Sequence, residues 1–168
     1  MKVAYQGIKG AYSEAAAYKH FGKNAQATGF DTFYDVFGAV LQNKVDCGIV
    51  PVENTIAGSV ATNYDLLLKH DVYVIAEVFM DIRHNLLSRK GNTLKVIKKV
   101  YSHPHALEQC MEYIRRNNLA PVPEFDTAGA ARVVKERNKK DEAAIASEFC
   151  AEIYGLDIIE KNIETLGH

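Results

Sequence analysis

Residues 49–60 read IVPVENTIAGSV, and they set a carboxylate, an amide and two hydroxyls close together: Glu53, Asn54, Thr55 and Ser59, with Gly58 among them. The preceding residues are apolar, so the polar group is expected at the mouth of a buried strand. A glutamate there is costly unless it is hydrogen-bonded or solvated. It can hold the following loop by accepting backbone N–H groups, or it can face a ligand as a hydroxyl acceptor or as an acid of raised pKa. Asn54 and Thr55 each donate and accept, which suits a polyfunctional acid. His103 and His105 flank Pro104, but no third His, Cys or Asp follows at a ligand spacing, so no metal is expected. His84, in DIRHNLL, reads as a structural residue on a strand. GxGxxG, Walker, GxSxG and HExxH patterns do not occur, which leaves phosphate-cradling, serine-hydrolase and zincin chemistry without support.

The elements that must position these residues alternate. β-rich runs fall near 2–6, 46–52, 72–80, 85–89, 96–102, 122–125, 142–147 and 156–160, and amphipathic runs at helical period near 13–21, 32–43, 59–69, 104–118, 127–138 and 148–154. Strand, turn and helix in repeated order predict an α/β fold with mainly parallel sheets. Two groups of strands, joined through 72–89, predict two lobes with a ligand cleft between them: lobe 1 about 1–75 plus about 156–168, lobe 2 about 76–155. Several strands run straight into helix starts marked by small or capping residues: Ser13 after Gly7 and Gly10, Thr32 or Asp31, Gly58 with Ser59, Ser102 ahead of Pro104, and Asp126 or Thr127 ahead of Ala128 and Gly129. Helix N-termini carry unpaired N–H groups and the positive end of the dipole, so several aimed at one place would grip a small carboxylate without a cluster of Lys or Arg. Ordinary capped turns would produce the same pattern.

Composition narrows the class. In 168 residues the hydrophobic fraction is 48%, the charged fraction 24% and the formal net charge −1, values typical of a globular protein with one good core or two small lobes. With no basic face, neither nucleic acid nor an anionic membrane is an expected partner, and a small molecule is. The longest apolar run, VYVIAEVFM, is too short to span a bilayer. No signal-like apolar region follows the N-terminus, so a cytoplasmic location is expected. Cys47, Cys110 and Cys150 are odd in number and widely spaced, as reduced structural thiols are.

Five stretches in order, QGIKGAYSEAAA (6–17), VPVENTIAGSV (50–60), SHPHALEQC (102–110), DTAGAA (126–131) and AAIASEFCAEIYGLDII (143–159), followed by NIE (162–164), resemble the catalytic domain of prephenate dehydratases over nearly the whole chain. The resemblance implies a two-lobe fold like the type II periplasmic binding proteins. It implies cofactor-free conversion of prephenate to phenylpyruvate, with loss of water and carbon dioxide, in phenylalanine biosynthesis. By position it implies Glu53, Asn54 and Thr127 as catalytic residues. Thr55, Gly58, Ser59, Ser102, His103, His105 and Ala128 are implied as substrate contacts. A homo-oligomer, dimer or larger, is expected from the same source.

The pattern departs from the family at two places. His105 stands where members usually carry glutamine, so its charge varies with pH. The Thr-Arg-Phe motif, whose threonine is thought to act as the acid, does not follow NIETLGH, and neither does the phenylalanine-binding ACT domain, so these residues alone are expected to show no feedback inhibition. Arogenate dehydratase, and a non-catalytic small-carboxylate-binding domain of the same fold, are the competing readings.

Overall fold

The structure, a computed structural model, describes residues 1–54 and 58–165. Thr55, one of the expected substrate contacts, lies outside the described residues. The chain divides into two compact units, Met1–Met80 and Asp81–His168.

The first unit opens with β1 (Lys2–Gln6), α1 (Tyr12–Phe21), β2 (Gln26–Phe30), α2 (Phe33–Leu41) and β3 (Cys47–Ile49). Its sheet has the order β2-β1-β3, with both pairings parallel. Alternation along the central strand sends Val3 to a cluster with Ala17, Ala25 and Cys47, and Ala4 to a cluster with Val36, Ala39 and Val45. The two helices therefore cover opposite faces, as parallel strands with crossover connections require. β2 is absent from the expected strands because QATGF is a largely exposed edge with no apolar run to mark it. Gly29 is needed there: a Cβ would collide with the carbonyl oxygen of Gly7.

Helix starts in this unit differ from expectation in two places. Ser13 does not cap α1; the N-cap is Ala11, without a side-chain bond. The buried Glu14 instead reaches back to accept the Gly10 N–H at 2.6 Å. Gly58 and Ser59 do not open a helix. They form β5 (Gly58–Ser59), paired antiparallel with β4 (Glu53–Asn54), and α3 (Ala61–Lys69) begins after Val60. With a φ of 80°, Gly58 belongs to this paired strand and not to a helix. By contrast α2 starts as expected at Thr32, which exchanges hydrogen bonds with Asp35 in a capping box, an arrangement worth about 1 kcal/mol.

The run 72–80 is not a strand. No helix or strand is formed between residues 71 and 84, and Tyr73, Val74, Ile75 and Phe79 are between 72% and 85% exposed. β-prone residues form a strand only against a neighbour.

The second unit contains β6 (Asn85–Ser88), a short 3₁₀ turn (Leu94–Val96), β7 (Lys99–Ser102), α4 (Pro104–Gln109), α5 (Met111–Arg116), β8 (Ala120–Pro123), α6 (Thr127–Arg137), β9 (Glu142–Ala146), α7 (Glu148–Tyr154) and β10 (Asp157–Glu160). The sheet order is β10-β6-β9-β7-β8. β7 runs parallel to β8 and β9, while β6 runs antiparallel to β9 and β10, so this sheet is mixed. β10, from the segment grouped with lobe 1 in the sequence, is an edge strand of this second sheet. The helix expected over 104–118 breaks at Cys110, which ends α4 and starts α5. Leu86, Val100, Leu107, Cys110, Ile114, Ala143 and Ile145 form the core beneath α4 and α5. Ala128, Ala130, Ala131 and Val134 of α6 are buried, and their small size lets the helix lie close to β7 and β9.

All three cysteines are free and buried. Burial pushes the Cys110 thiol up to about 12 and raises Cys47 as well. A thiol reagent at mildly alkaline pH should leave the folded chain essentially unlabelled and react with all three cysteines once urea unfolds it. Rapid labelling of the folded chain would contradict this placement.

Candidate active site

In the first unit the parallel strands β1, β2 and β3 deliver their carboxyl ends to one edge. The Gly7 N–H donates to the Phe30 carbonyl at 2.9 Å, and the Gln6 side chain donates to the Asp31 carbonyl at 3.2 Å, which joins two of these loops. The third loop is the β4–β5 hairpin. Glu53 stands opposite Ser59, and Asn54 opposite Gly58. The Glu53 carboxylate is exposed and accepts the Ser59 hydroxyl at 2.8 Å. It is thus a hydroxyl acceptor, and the hydroxyl it accepts here is the chain's own. Behind the hairpin, the Val60 N–H donates to the Val52 carbonyl at 2.9 Å and the Asn63 side chain to the Pro51 carbonyl at 2.7 Å.

In the second unit the carboxyl ends of β7, β8 and β9 share an edge in the same way. The Glu124 N–H donates to the Ser102 carbonyl at 2.8 Å, which ties the loop after β7 to the loop after β8. Ser102 is fully buried, and its hydroxyl donates to the Ile145 carbonyl at 2.7 Å. It is therefore a strand residue and not the helix cap. The cap is His103, exposed, whose Nδ1 accepts the His105 N–H at 3.2 Å. Thr127 is the first residue of α6 and half-buried, Ala128 is buried, and Asp126 caps the helix by accepting the Gly129 N–H. Glu53, Asn54, Gly58 and Ser59 thus share one hairpin of the first unit, and Ser102, His103, His105, Thr127 and Ala128 share one sheet edge of the second.

The electrostatics qualify the expected grip on anions. The start of α6 is occupied by Asp126, and the turn into α1 by Glu14, so the chain's own carboxylates neutralise two of the expected N-termini. The start of α3, next to Glu53, has no side-chain cap. No group of three or more His, Cys, Asp or Glu that could hold a metal occurs among the described residues.

A cluster beside His105 has no counterpart among the expected site residues. The ring Nε2 of His84 lies 2.7 Å from Gln109 Oε1, its backbone N–H donates to Glu164 at 2.9 Å, and Arg83 pairs with the other Glu164 oxygen at 3.2 Å. The Thr165 N–H donates to the Gln109 carbonyl at 2.8 Å. The ring Nε2 of His105 is buried without a partner, and its Nδ1 lies 3.6 Å from Glu108. These contacts span up to 81 residues of sequence, which no local pattern reports. The signals that were available are the stretch NIE and the histidine in DIRHNLL.

The class of fold is that of two-unit α/β binding proteins: the substrate-binding protein of a methionine transporter from Streptococcus pneumoniae matches over 99% of this chain and 75% of that one, with a TM-score of 0.50 at 14% identity. The family is closer. The family model described as prephenate dehydratase matches residues 3–168, and the chain belongs to that family. "Arogenate dehydratase/prephenate dehydratase 2, chloroplastic" of Arabidopsis thaliana is 43% identical over 98% of this chain and 43% of its own length. A prephenate dehydratase structure from Arthrobacter aurescens, in complex with L-Phe, matches with a TM-score of 0.88 at 26% identity over 98% of this chain and 56% of that one. A structure described as GqqA, a novel type of quorum quenching acylase, matches with a TM-score of 0.90 at 34% identity over 98% of this chain and 60% of that one. The chain spans about two-fifths of the length of the curated relatives it matches. No helix among the described residues is long and apolar enough to cross a membrane.

Burial holds the His84 imidazole below its ordinary value of 6.5, and nearby His105 adds to this, while the bond to Gln109 and the Glu164 charge act in the opposite direction. Just below pH 6.5 the unfolded chain therefore binds more protons at this site than the folded chain does. The His84 contribution to stability is full above that value and is lost as the pH falls. Urea midpoints at about pH 7.5 and about pH 5.5 should differ in the wild type, and His84→Gln should reduce the difference. An unchanged difference would show that His84 binds protons equally in the folded and the unfolded chain.

Proposed function

We propose that the chain is a carbon–oxygen lyase that removes water and carbon dioxide from prephenate to give phenylpyruvate, or from arogenate, in which an amine replaces the keto group. The observation that carries this reading is the family match from residue 3 to residue 168, a range that includes the Glu53 hairpin and the residues His103 and Thr127. The reaction needs a proton for the departing ring hydroxyl while the ring carboxylate leaves as carbon dioxide. Glu53, Asn54 and Thr127 are the groups assigned to the reacting ring. Thr55, Gly58, Ser59, His103 and His105 are assigned to binding. Ser102 and Ala128, both buried, are assigned to binding as well. Desolvation of the departing carboxylate favours its loss. A homo-oligomer is part of the same reading, and light scattering measures it.

The test is product formation from prephenate and, separately, from arogenate, each against the uncatalysed background at neutral pH. Turnover of either substrate is expected, and Glu53→Gln should lower kcat by about 10²-fold or more with an unchanged melting temperature, since the side chain is exposed. Full activity in a folded Glu53→Gln variant would remove Glu53 from the chemistry. Binding of prephenate without consumption of either compound would favour the non-catalytic reading.

A further inference from the structure

Asn63 has no exposed surface, yet only half of its amide is satisfied. Its Nδ2 donates to the Pro51 carbonyl at 2.7 Å, while its Oδ1 is buried without a hydrogen-bond partner. A buried acceptor left unpaired costs about 1–3 kcal/mol. An apolar side chain at the same position, beside the fully packed Leu66, would remove that orphaned acceptor but take the donor from the carbonyl of the exposed Pro51. A residue that breaks the ordinary rule for a core position points to a role other than stability.

The geometry supplies that role. Asn63 is the third residue of α3, three positions after the N-cap Val60. α3 has no side-chain cap at all, and the Asn63 amide is spent on the strand exit instead. The Val60 N–H holds the Val52 carbonyl at 2.9 Å, so the two carbonyls immediately before Glu53 are each held by one donor from the start of α3. Beyond them the Glu53 backbone pairs with Ser59, and its carboxylate accepts the Ser59 hydroxyl at 2.8 Å. Pro51 has no N–H of its own to join β3 to its neighbours. Its carbonyl is what ties this point of the chain to the core.

We propose that Asn63 is a positioning residue for Glu53: its amide clamps the Pro51 carbonyl and thereby fixes where the hairpin presents the carboxylate. The catalytic consequence rests on the lyase reading above, while the clamp itself does not. An apolar residue at this position keeps the packing and removes the clamp. Displacing a reacting group by about 1 Å can cost roughly 10²-fold in rate.

The experiment is Asn63→Leu in the full 168-residue chain, with Leu66→Ala as a control that lowers stability from the same helix. Three quantities are measured: urea stability, amide hydrogen exchange at Ser59 and Val60, and kcat and KM on whichever substrate the wild type consumes. Asn63→Leu is expected to keep or raise stability while exchange at Val60 and Ser59 quickens relative to the rest of the first unit. kcat is expected to fall at least 10-fold with KM changed far less. Asn63→Asp gives a second test, because only a protonated acid can donate to the Pro51 carbonyl: protection at Val60 should return at low pH in that variant. Val60 exchange unaltered in Asn63→Leu, or changed only in proportion to lost stability as in the control, would overturn the proposal. If the wild type consumes neither substrate, the lyase reading fails by itself, and the exchange data still decide whether the clamp exists.

Discussion

Parallel strand pairing is the constraint on which the rest of the molecule depends. A parallel pair cannot close with a tight turn, so each strand must leave its sheet at the carboxyl end, cross through a helix and return. In the first unit this brings the loops at 7, 31 and 50–60 to one edge; in the second it gathers those at 103, 126 and 147. The polar residues of the site occupy these places because backbone groups there have finished their sheet bonds and the next helix has not yet begun. β6 runs against the other strands of the second sheet, so its amino end at His84 and the carboxyl end of β10 also lie at that edge.

The electrostatic character follows from what fills the helix starts. Asp126 and Glu14 place negative charge at two turns where a helix dipole would otherwise attract a ligand's carboxylate. Each settles loop geometry by satisfying a backbone N–H, and in doing so gives up part of the attraction. The expected picture of several open N-termini acting together is thus too simple.

Much of this was legible in the residues, and the failures have physical causes. Short β-rich runs located β1, β6 and β9, which are buried on both faces, and helical periods located α2 and α6, which each bury one side. The edge strand β2 escaped because burial, which writes the pattern, is slight there. Gly58 and Ser59 carry the composition of a helix start and also of a tight hairpin, and only the pairing with Glu53 and Asn54 decides between them. Ser102 looked like a cap by type, but its hydroxyl serves the neighbouring strand at Ile145, 43 positions along the chain. The stretch 50–60 was found as a polar group by its residue types; that Asn63 stands behind it was not, since a single Asn in a helix carries no periodic signal.

The segment from Tyr73 to Phe79 bears on how the chain behaves as a colloid. Its apolar side chains face water in a molecule of formal net charge −1, which offers little long-range repulsion between copies. Asp71, Glu77 and Asp81 interrupt or flank the run and act as gatekeepers, placing like charges where a second β-prone segment would have to lie. The like charge nearest this exposed run therefore comes from three carboxylates, and conditions that neutralise or screen them leave the run freer to pair with a second copy.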